Sequence, residues 1–137
     1  MPVDLSMPVL VVEDSRIMGQ ILRNLLMMIG FRRVDNALDG TTALSKLRNE
    51  HYGLVISDWN MQPMTGLMLL QKVRADPVLY GIPFVMVTEE SDLANVTAAK
   101  GAGASSYIVK PFNRETFKAK IAEASVSRTT EQAIFAG

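Results

Sequence analysis

Four short runs of almost uninterrupted apolar, largely β-branched residues recur along the chain, Pro8-Val9-Leu10-Val11-Val12, Leu54-Val55-Ile56-Ser57, Ile82 to Val87 and Ser106-Tyr107-Ile108-Val109, and the more polar Arg33 to Ala37 reads as a fifth strand. Runs this short and this apolar are covered on both faces, and such strands belong to parallel sheets. Parallel neighbours need long crossovers, usually helical. The segments between the runs supply them. Ser15 caps a predicted helix from Arg16 to Ile29, with Gly30 as its stop. Asp39-Gly40 opens a second, running through Leu47. Met64-Thr65-Gly66 leads into a third that ends at Asp76-Pro77, a fourth spans Asp92 to Lys100, and Asn113 caps a fifth from Arg114 to Ala124. On the first helix the spacing predicts a core face of Ile17, Ile21, Leu25 and Met28, widened by Leu22, Leu26 and Ile29. On the third it marks Leu67, Leu70, Val73 and Arg74. Five strands alternating with five helices predict one α/β domain, and right-handed crossovers leave few topologies.

The bulk numbers agree with that and exclude much else. With 137 residues there is room for one domain, and 48% hydrophobic content supports a sizeable core. Fourteen basic and fourteen acidic residues cancel, so no net charge favours nucleic acid or an anionic membrane as partner. There is no Cys, which removes disulfides and thiolate metal sites, and the lone His51 lies in the polar stretch Asn49 to Gly53, read as a solvated loop. No apolar run approaches the ~20 residues that span a bilayer. The N-terminus lacks the basic and apolar regions of a signal peptide, so a cytoplasmic location is expected.

In an open parallel sheet the ligand site lies beyond the carboxyl ends of the strands. Polar groups stand at four of those five ends. Glu13 and Asp14 follow the first strand, Asp58 and Asn60 the third, Thr88 the fourth and Lys110 the fifth. Three carboxylates, a hydroxyl and an amine are thereby brought to one edge. Carboxylates gathered this closely repel unless a cation neutralises them. A hard divalent ion such as Mg²⁺ suits oxygen donors and retains room for water and a phosphate oxygen. A carboxylate there is able to attack phosphorus and form an acyl phosphate, with Lys110 and Mg²⁺ stabilising charge and Thr88 bonding a phosphoryl oxygen.

The stretches VLVVEDS, LVISDWNMQPMTG, PFVMVTEES and GAGASSYIVKPF occur in that order between about residues 7 and 124. Together they resemble the receiver domain of bacterial two-component response regulators, especially stand-alone CheY-like chemotaxis proteins. The resemblance implies a flavodoxin-like doubly wound (βα)5 sandwich with strand order 2-1-3-4-5. It implies Asp58 as phosphoacceptor, and Glu13, Asp14, Asp58 and the Asn60 backbone carbonyl as Mg²⁺ ligands. Thr88 and Lys110 become the phosphate-sensing pair. Tyr107 matches the family's aromatic switch position, although an aromatic in an edge strand equally serves packing. The implied partners are a histidine kinase or His phosphotransfer protein, and a target on the face of helix four, strand five and helix five. Residues 1–125 are expected to form the receiver and 126–137 a tail or helix extension without an output domain, so that output passes through protein contacts in trans or a return phosphotransfer. The protein is then not a conventional enzyme but catalyses its own phosphorylation and autodephosphorylation. Tail residues Ile134 and Phe135 are free to pack back or to meet a partner.

Three departures from the family pattern stand out. Glu13 replaces the commoner Asp and keeps the charge. Pro63 sits one place later than the usual proline, after Gln62. Glu89 occupies a position, directly after Thr88, where a small residue is common, and a bulky acid there is expected to slow access to the site. Two other functions compete. Haloacid-dehalogenase-type phosphatases also use a strand-end Asp, Mg²⁺, a Thr and a Lys, but they normally carry a second Asp two residues on, where this chain has Asn60, and a cap domain for which there is no room. A phosphorylation-independent scaffold with a receiver fold is the third, and the full polar set argues against it.

Overall fold

The computed structural model describes residues 5–89 and 93–124. Asp92 and the tail 126–137, with Ile134 and Phe135, lie outside the described residues. The chain alternates β1 (Val9–Val12), α1 (Arg16–Ile29), β2 (Val34–Ala37), α2 (Gly40–Asn49), β3 (Leu54–Asp58), α3 (Gly66–Ala75), β4 (Phe84–Thr88), α4 (Leu93–Gly101) and β5 (Ser106–Val109). A fifth helix, α5, covers residues 114–124. All five strands pair in parallel, in the order β2-β1-β3-β4-β5.

Helix starts are set where side chains replace missing backbone partners. The N–H of Met18 donates to Ser15 Oγ at 3.2 Å, that of Thr42 to Asp39 Oδ1 at 2.7 Å, that of Met68 to Thr65 Oγ1 at 3.1 Å and that of Thr116 to Asn113 Oδ1 at 2.8 Å. Gly30, at φ 126°, closes α1 in a conformation that side chains rarely adopt.

The alternation of side chains along each strand splits the core in two. Leu10, Val12, Val55, Phe84, Met86 and Tyr107 face α2, α3 and α4, meeting Ala43, Leu47, Leu69, Leu70, Val73 and Ala99. Val9, Val11, Leu54, Ile56, Val85, Val87 and Ile108 face α1 and α5, meeting Leu22, Leu26, Phe117 and Ile121.

The buried face of α1 is not the predicted one. Gly19, Leu22 and Leu26 are buried, whereas Ile17 is 78% exposed, Met28 59% and Ile21 44%. Arg16, Gln20, Arg23 and Asn24 share one side of the helix, and the apolar arc opposite them is wider than the sheet covers, so periodicity does not choose which part of it is buried. Close approach does: a Cβ at Gly19 would meet Asn36 Nδ2 at 2.9 Å, which places this turn tight against the sheet. On α3, Leu69 is fully buried and Leu67 only partly, so the core face there is rotated as well.

Candidate functional site

The register brings the polar strand ends level. Val12 pairs with Ser57, Asp58 with Val87 and Thr88 with Val109. The ladder then runs one step further, with Glu13 N donating to Ala37 O (3.0 Å), Trp59 N to Val87 O (3.1 Å) and Lys110 N to Thr88 O (2.7 Å). Glu13, Asp58, Thr88 and Lys110 thus end up on one rim because each sits at, or directly after, the last residue of its strand.

Asp58 is 5% exposed, Glu13 3% and Thr88 fully buried, while Asp14 is exposed. Lys110 Nζ lies 3.1 Å from Asp58 Oδ1 and 3.4 Å from Glu13 Oε1. Carboxylate oxygens of Glu13, Asp14 and Asp58 all lie within 4.8 Å of one another. Two of the three acids, Asp58 and Glu13, therefore share one ammonium. Ser15 orients the first of them: its N–H donates to Glu13 Oε2 at 3.1 Å while its hydroxyl caps α1. The start of α1 and the acid pocket are fixed by the same residue.

Electrostatics follow from burial. Glu13 is pushed up to about 6, first by burial and further by the Asp58 charge, against the pull of the Ser15 N–H and Lys110. Burial also raises Asp58, with Asp14 adding repulsion and Lys110 opposing. Burial works to lower Lys110, but its hydrogen bonds and charge contacts with Asp58 and Glu13 outweigh that and hold it above the ordinary range. The pocket holds more negative charge than its one cation offsets.

This donor set fits a hard divalent cation. It offers oxygen atoms only, gathered within the span of one ion, in surroundings where the carboxylates gain from neutralisation. Glu13, Asp14 and Asp58 are the side chains positioned to hold it. Asn60 is exposed in the loop beyond Trp59, where Met61 N donates to Trp59 O at 3.1 Å and Gly66 N to the same oxygen at 2.8 Å. This close return needs Gly66, because a Cβ there would lie 2.2 Å from Asp58 O and 2.9 Å from Trp59 Cα. The Gln62–Pro63 and Lys110–Pro111 peptides flanking the rim are both cis.

A family model described as "Response regulator receiver domain" matches residues 9–122. The chain belongs to this family. As a receiver it is 43% identical over 115 residues to the chemotaxis protein CheY of Pseudomonas aeruginosa, a match covering 84% of this chain and 93% of that one. It is 40% identical over 116 residues to the chemotaxis protein CheY-3 of Vibrio cholerae, covering 85% and 89%. Among solved structures it resembles the chemotaxis response regulator CheY4 of Vibrio cholerae with TM-score 0.80 at 33% identity, covering 87% of this chain and 98% of that one. It also resembles a CheY-like receiver domain protein from Methanospirillum hungatei with TM-score 0.81 at 28% identity, covering 92% and 98%. The receiver assignment and the doubly wound fold expected from the sequence are both borne out. Receivers signal through phosphorylation, exchanging signals with histidine kinases and downstream proteins, and this chain is a phosphorylation-dependent response regulator. The family generally uses Mg²⁺.

Three further side chains border the receiver rim. Trp59, half-buried, meets the Tyr107 ring edge-on, with centroids 6.3 Å apart and planes at 74°. Tyr107 itself is 7% exposed and packs in the α2–α3–α4 cluster. Glu89 is exposed and lines a groove shared with Lys110 and Phe112. Away from the rim, Arg74 donates to the carbonyls of Gly103 (2.9 Å), Tyr80 (2.7 Å) and Ile82 (2.7 Å), tying α3 to two connecting loops. At the opposite end of the sheet Tyr52 Oη donates to Asp35 Oδ2 at 2.6 Å, and Asp35 also takes Arg33 at 2.7 Å. No motif marks these last two networks, because each joins residues distant in sequence. No described helix is long and apolar enough to cross a membrane.

Proposed function

We propose that Asp58 is the phosphoacceptor of this receiver, with Glu13, Asp14, Asp58 and the Asn60 carbonyl as ligands for Mg²⁺. The observation that carries this reading is the Asp58 carboxylate itself: buried, at a strand end, 3.1 Å from Lys110 Nζ and within 4.8 Å of two further acids. A carboxylate oxygen of Asp58 attacks the phosphorus of a phosphohistidine on a histidine kinase or His phosphotransfer protein. A P–O bond forms, the P–N bond breaks and the donor imidazole leaves. Bound Mg²⁺ supplies charge neutralisation for the transferring group. Lys110, already held on Asp58, adds a fixed cation beside the incoming phosphoryl oxygens. Thr88, buried at the end of β4, donates its hydroxyl to one of those oxygens. Attack of water on phosphorus later releases phosphate and restores the carboxylate.

The switch joins Thr88 to Tyr107. Thr88 shifts toward the phosphoryl group, and Tyr107, one strand over and edge-on to Trp59, repacks with it. The face made by α4, β5 and α5 changes, and a target with different affinity for the two forms reads the state. By likeness to the chemotaxis proteins above, the pathway is chemotaxis, with a protein and not a nucleic acid or membrane as target. Residues 1–125 form the signalling unit, working in the cytoplasm, and catalysis is confined to the protein's own phosphorylation and dephosphorylation. The phosphatase alternative lacks its general acid, since Asn60 stands two residues after Asp58.

Intact mass after incubation with Mg²⁺ and acetyl phosphate tests the reading. Wild type gains one labile phosphoryl group and Asp58→Asn gains none. A folded wild type that takes up no phosphoryl group from acetyl phosphate or from a phosphohistidine donor would refute it in favour of the scaffold. Steady turnover of a phosphate ester would favour the hydrolase.

A further inference from the structure

Trp59, the sole tryptophan, directly follows Asp58 but leaves on the other face of the sheet. Asp58 continues the row of Leu54 and Ile56, which face α1 and α5, whereas Trp59 continues the row of Val55 into the α2–α3–α4 cluster. Its backbone is held from both sides. The N–H donates to Val87 O at 3.1 Å, and the carbonyl accepts from Met61 N at 3.1 Å and Gly66 N at 2.8 Å. The indole therefore extends from a fixed point. Strand β4 separates that point from β5, roughly 10 Å across two strand spacings. The half-buried indole spans the gap and meets the Tyr107 ring edge-on, with centroids 6.3 Å apart. Between α4 and β5 the cluster supplies only small side chains, Val96, Ala99, Ala102 and Ala104. Yet Tyr107 is 7% exposed on a strand at the edge of the sheet. An open groove of about 430 Å³ beside β5, lined by Val96, Lys100, Tyr107 and Lys120, gives this ring a place to go when it is released.

We propose that Trp59 is a positioning residue of the switch: its ring, anchored by the backbone that carries Asp58, holds Tyr107 in the buried position and sets how often that ring is exposed at rest. An edge-on aromatic pair contributes beyond the area it buries, enough to shift a two-position equilibrium roughly fivefold. The buried position has the indole as partner, and the groove position does not. A ring on a fixed backbone is a constant bias, unlike a group that moves with the phosphoryl oxygens. The inference rests on the functional reading above, in which Tyr107 is the switch aromatic. Thr88 then supplies the phosphate-dependent part of the switch and Trp59 its starting point. Replacing the indole leaves the acid pocket as it is, because Trp59 contributes only its backbone to that rim.

The chain's three tyrosines make the test site-specific. Tyr52 is 2% exposed and Tyr80 58%, so they serve as buried and exposed references for Tyr107. Tetranitromethane nitrates accessible phenol rings, and the absence of cysteine leaves no thiol to compete for it. The rate at each tyrosine of the full chain is read by peptide mass, in EDTA and without a phosphodonor. Trp59→Leu is expected to raise the Tyr107 rate roughly fivefold while Tyr52 and Tyr80 stay unchanged, and Trp59→Phe to keep most of the protection. An unchanged Tyr107 rate in Trp59→Leu, an equal rise in Trp59→Phe or a rise shared by Tyr52 would overturn the assignment. A second readout leaves Trp59 unsubstituted: with fluorotryptophan at this one position, the fluorine resonance is expected to move in Tyr107→Leu, and an unmoved resonance also overturns it. Neither measurement involves phosphorylation, so failure here is separable from failure of the Asp58 chemistry, which intact mass of the same proteins after acetyl phosphate judges by itself.

Discussion

Replacing Asp58 with Asn removes a charge from a pocket already overfilled, and the metal-free protein should become more stable. The geometry gives the size. At an effective dielectric of ~20, the attraction of Asp58 to Lys110 across 3.1 Å is roughly 5 kcal/mol. Repulsion from the buried Glu13, at a separation of up to 4.8 Å, is roughly 3.5 kcal/mol, and the exposed Asp14 adds less because water screens it. Attraction and repulsion nearly cancel, and the cost of burying the carboxylate, the largest influence on Asp58, tips the balance against the charged form. Asn keeps the shape and removes both terms. Lys110 is not left without a partner, because Glu13 remains 3.4 Å away. Urea unfolding followed by far-UV circular dichroism at pH 7.5 in EDTA should place Asp58→Asn about 1–2 kcal/mol above wild type, with an unchanged denaturant slope. Mg²⁺ should raise wild type by RT ln(1 + [Mg²⁺]/Kd) and the variant far less, narrowing the gap. A variant less stable than wild type in EDTA would refute the reasoning, since it would mean that the Lys110 pair outweighs the crowding of acids.

Further perturbations probe other parts of the same framework. Glu13 has a folded value of about 6 against an ordinary 4.5, so its folded state holds the proton more tightly, and the stability it contributes is complete below pH 4.5 and lost as pH rises through 6. Glu13→Gln should therefore exceed wild type in metal-free unfolding at pH 7.5 and lose that advantage below pH 4.5; a constant difference would contradict this. Arg74→Ala should cost about 2–4 kcal/mol in urea unfolding, because the carbonyls of Gly103, Tyr80 and Ile82 lose a shared donor, and Arg74→Lys should restore little, having no planar fork. Gly66→Ala should cost about 2–3 kcal/mol and slow uptake of phosphate from acetyl phosphate, since the added carbon meets backbone at Asp58 and Trp59 and not a flexible side-chain end. Glu89→Ala should speed phosphorylation or dephosphorylation severalfold in a stopped-flow or mass assay, with identical rates for both excluding a screening role.

The strands and the rim were legible because their signals are local. Each buried run carries its polar terminus within one or two residues, so Glu13, Asp14, Asp58, Thr88 and Lys110 were readable as one edge before any pairing was known. The caps at Ser15, Asp39 and Asn113 were readable for the same reason. The α1 face was not, since Ile17, Ile21 and Met28 compete with Leu22 and Leu26 and only the closeness of Gly19 to β2 breaks the tie. Phe84, not Ile82, begins β4, because Ile82 and Pro83 belong to the connection that Arg74 holds. Asp35 with Tyr52, seventeen residues apart, and Arg74 with Gly103, twenty-nine apart, meet only through the fold.

The sheet divides the interior into two clusters that share no side chain. Substitutions confined to different clusters should add in free energy, because distant sites without common neighbours are independent. Heritable change can then reshape the α1–α5 layer while the α4 layer, with Tyr107, keeps its packing. Duplicated copies of such a chain are free to diverge in the packing of one layer without disturbing the other, and only the strand-end residues common to both layers are barred from that drift.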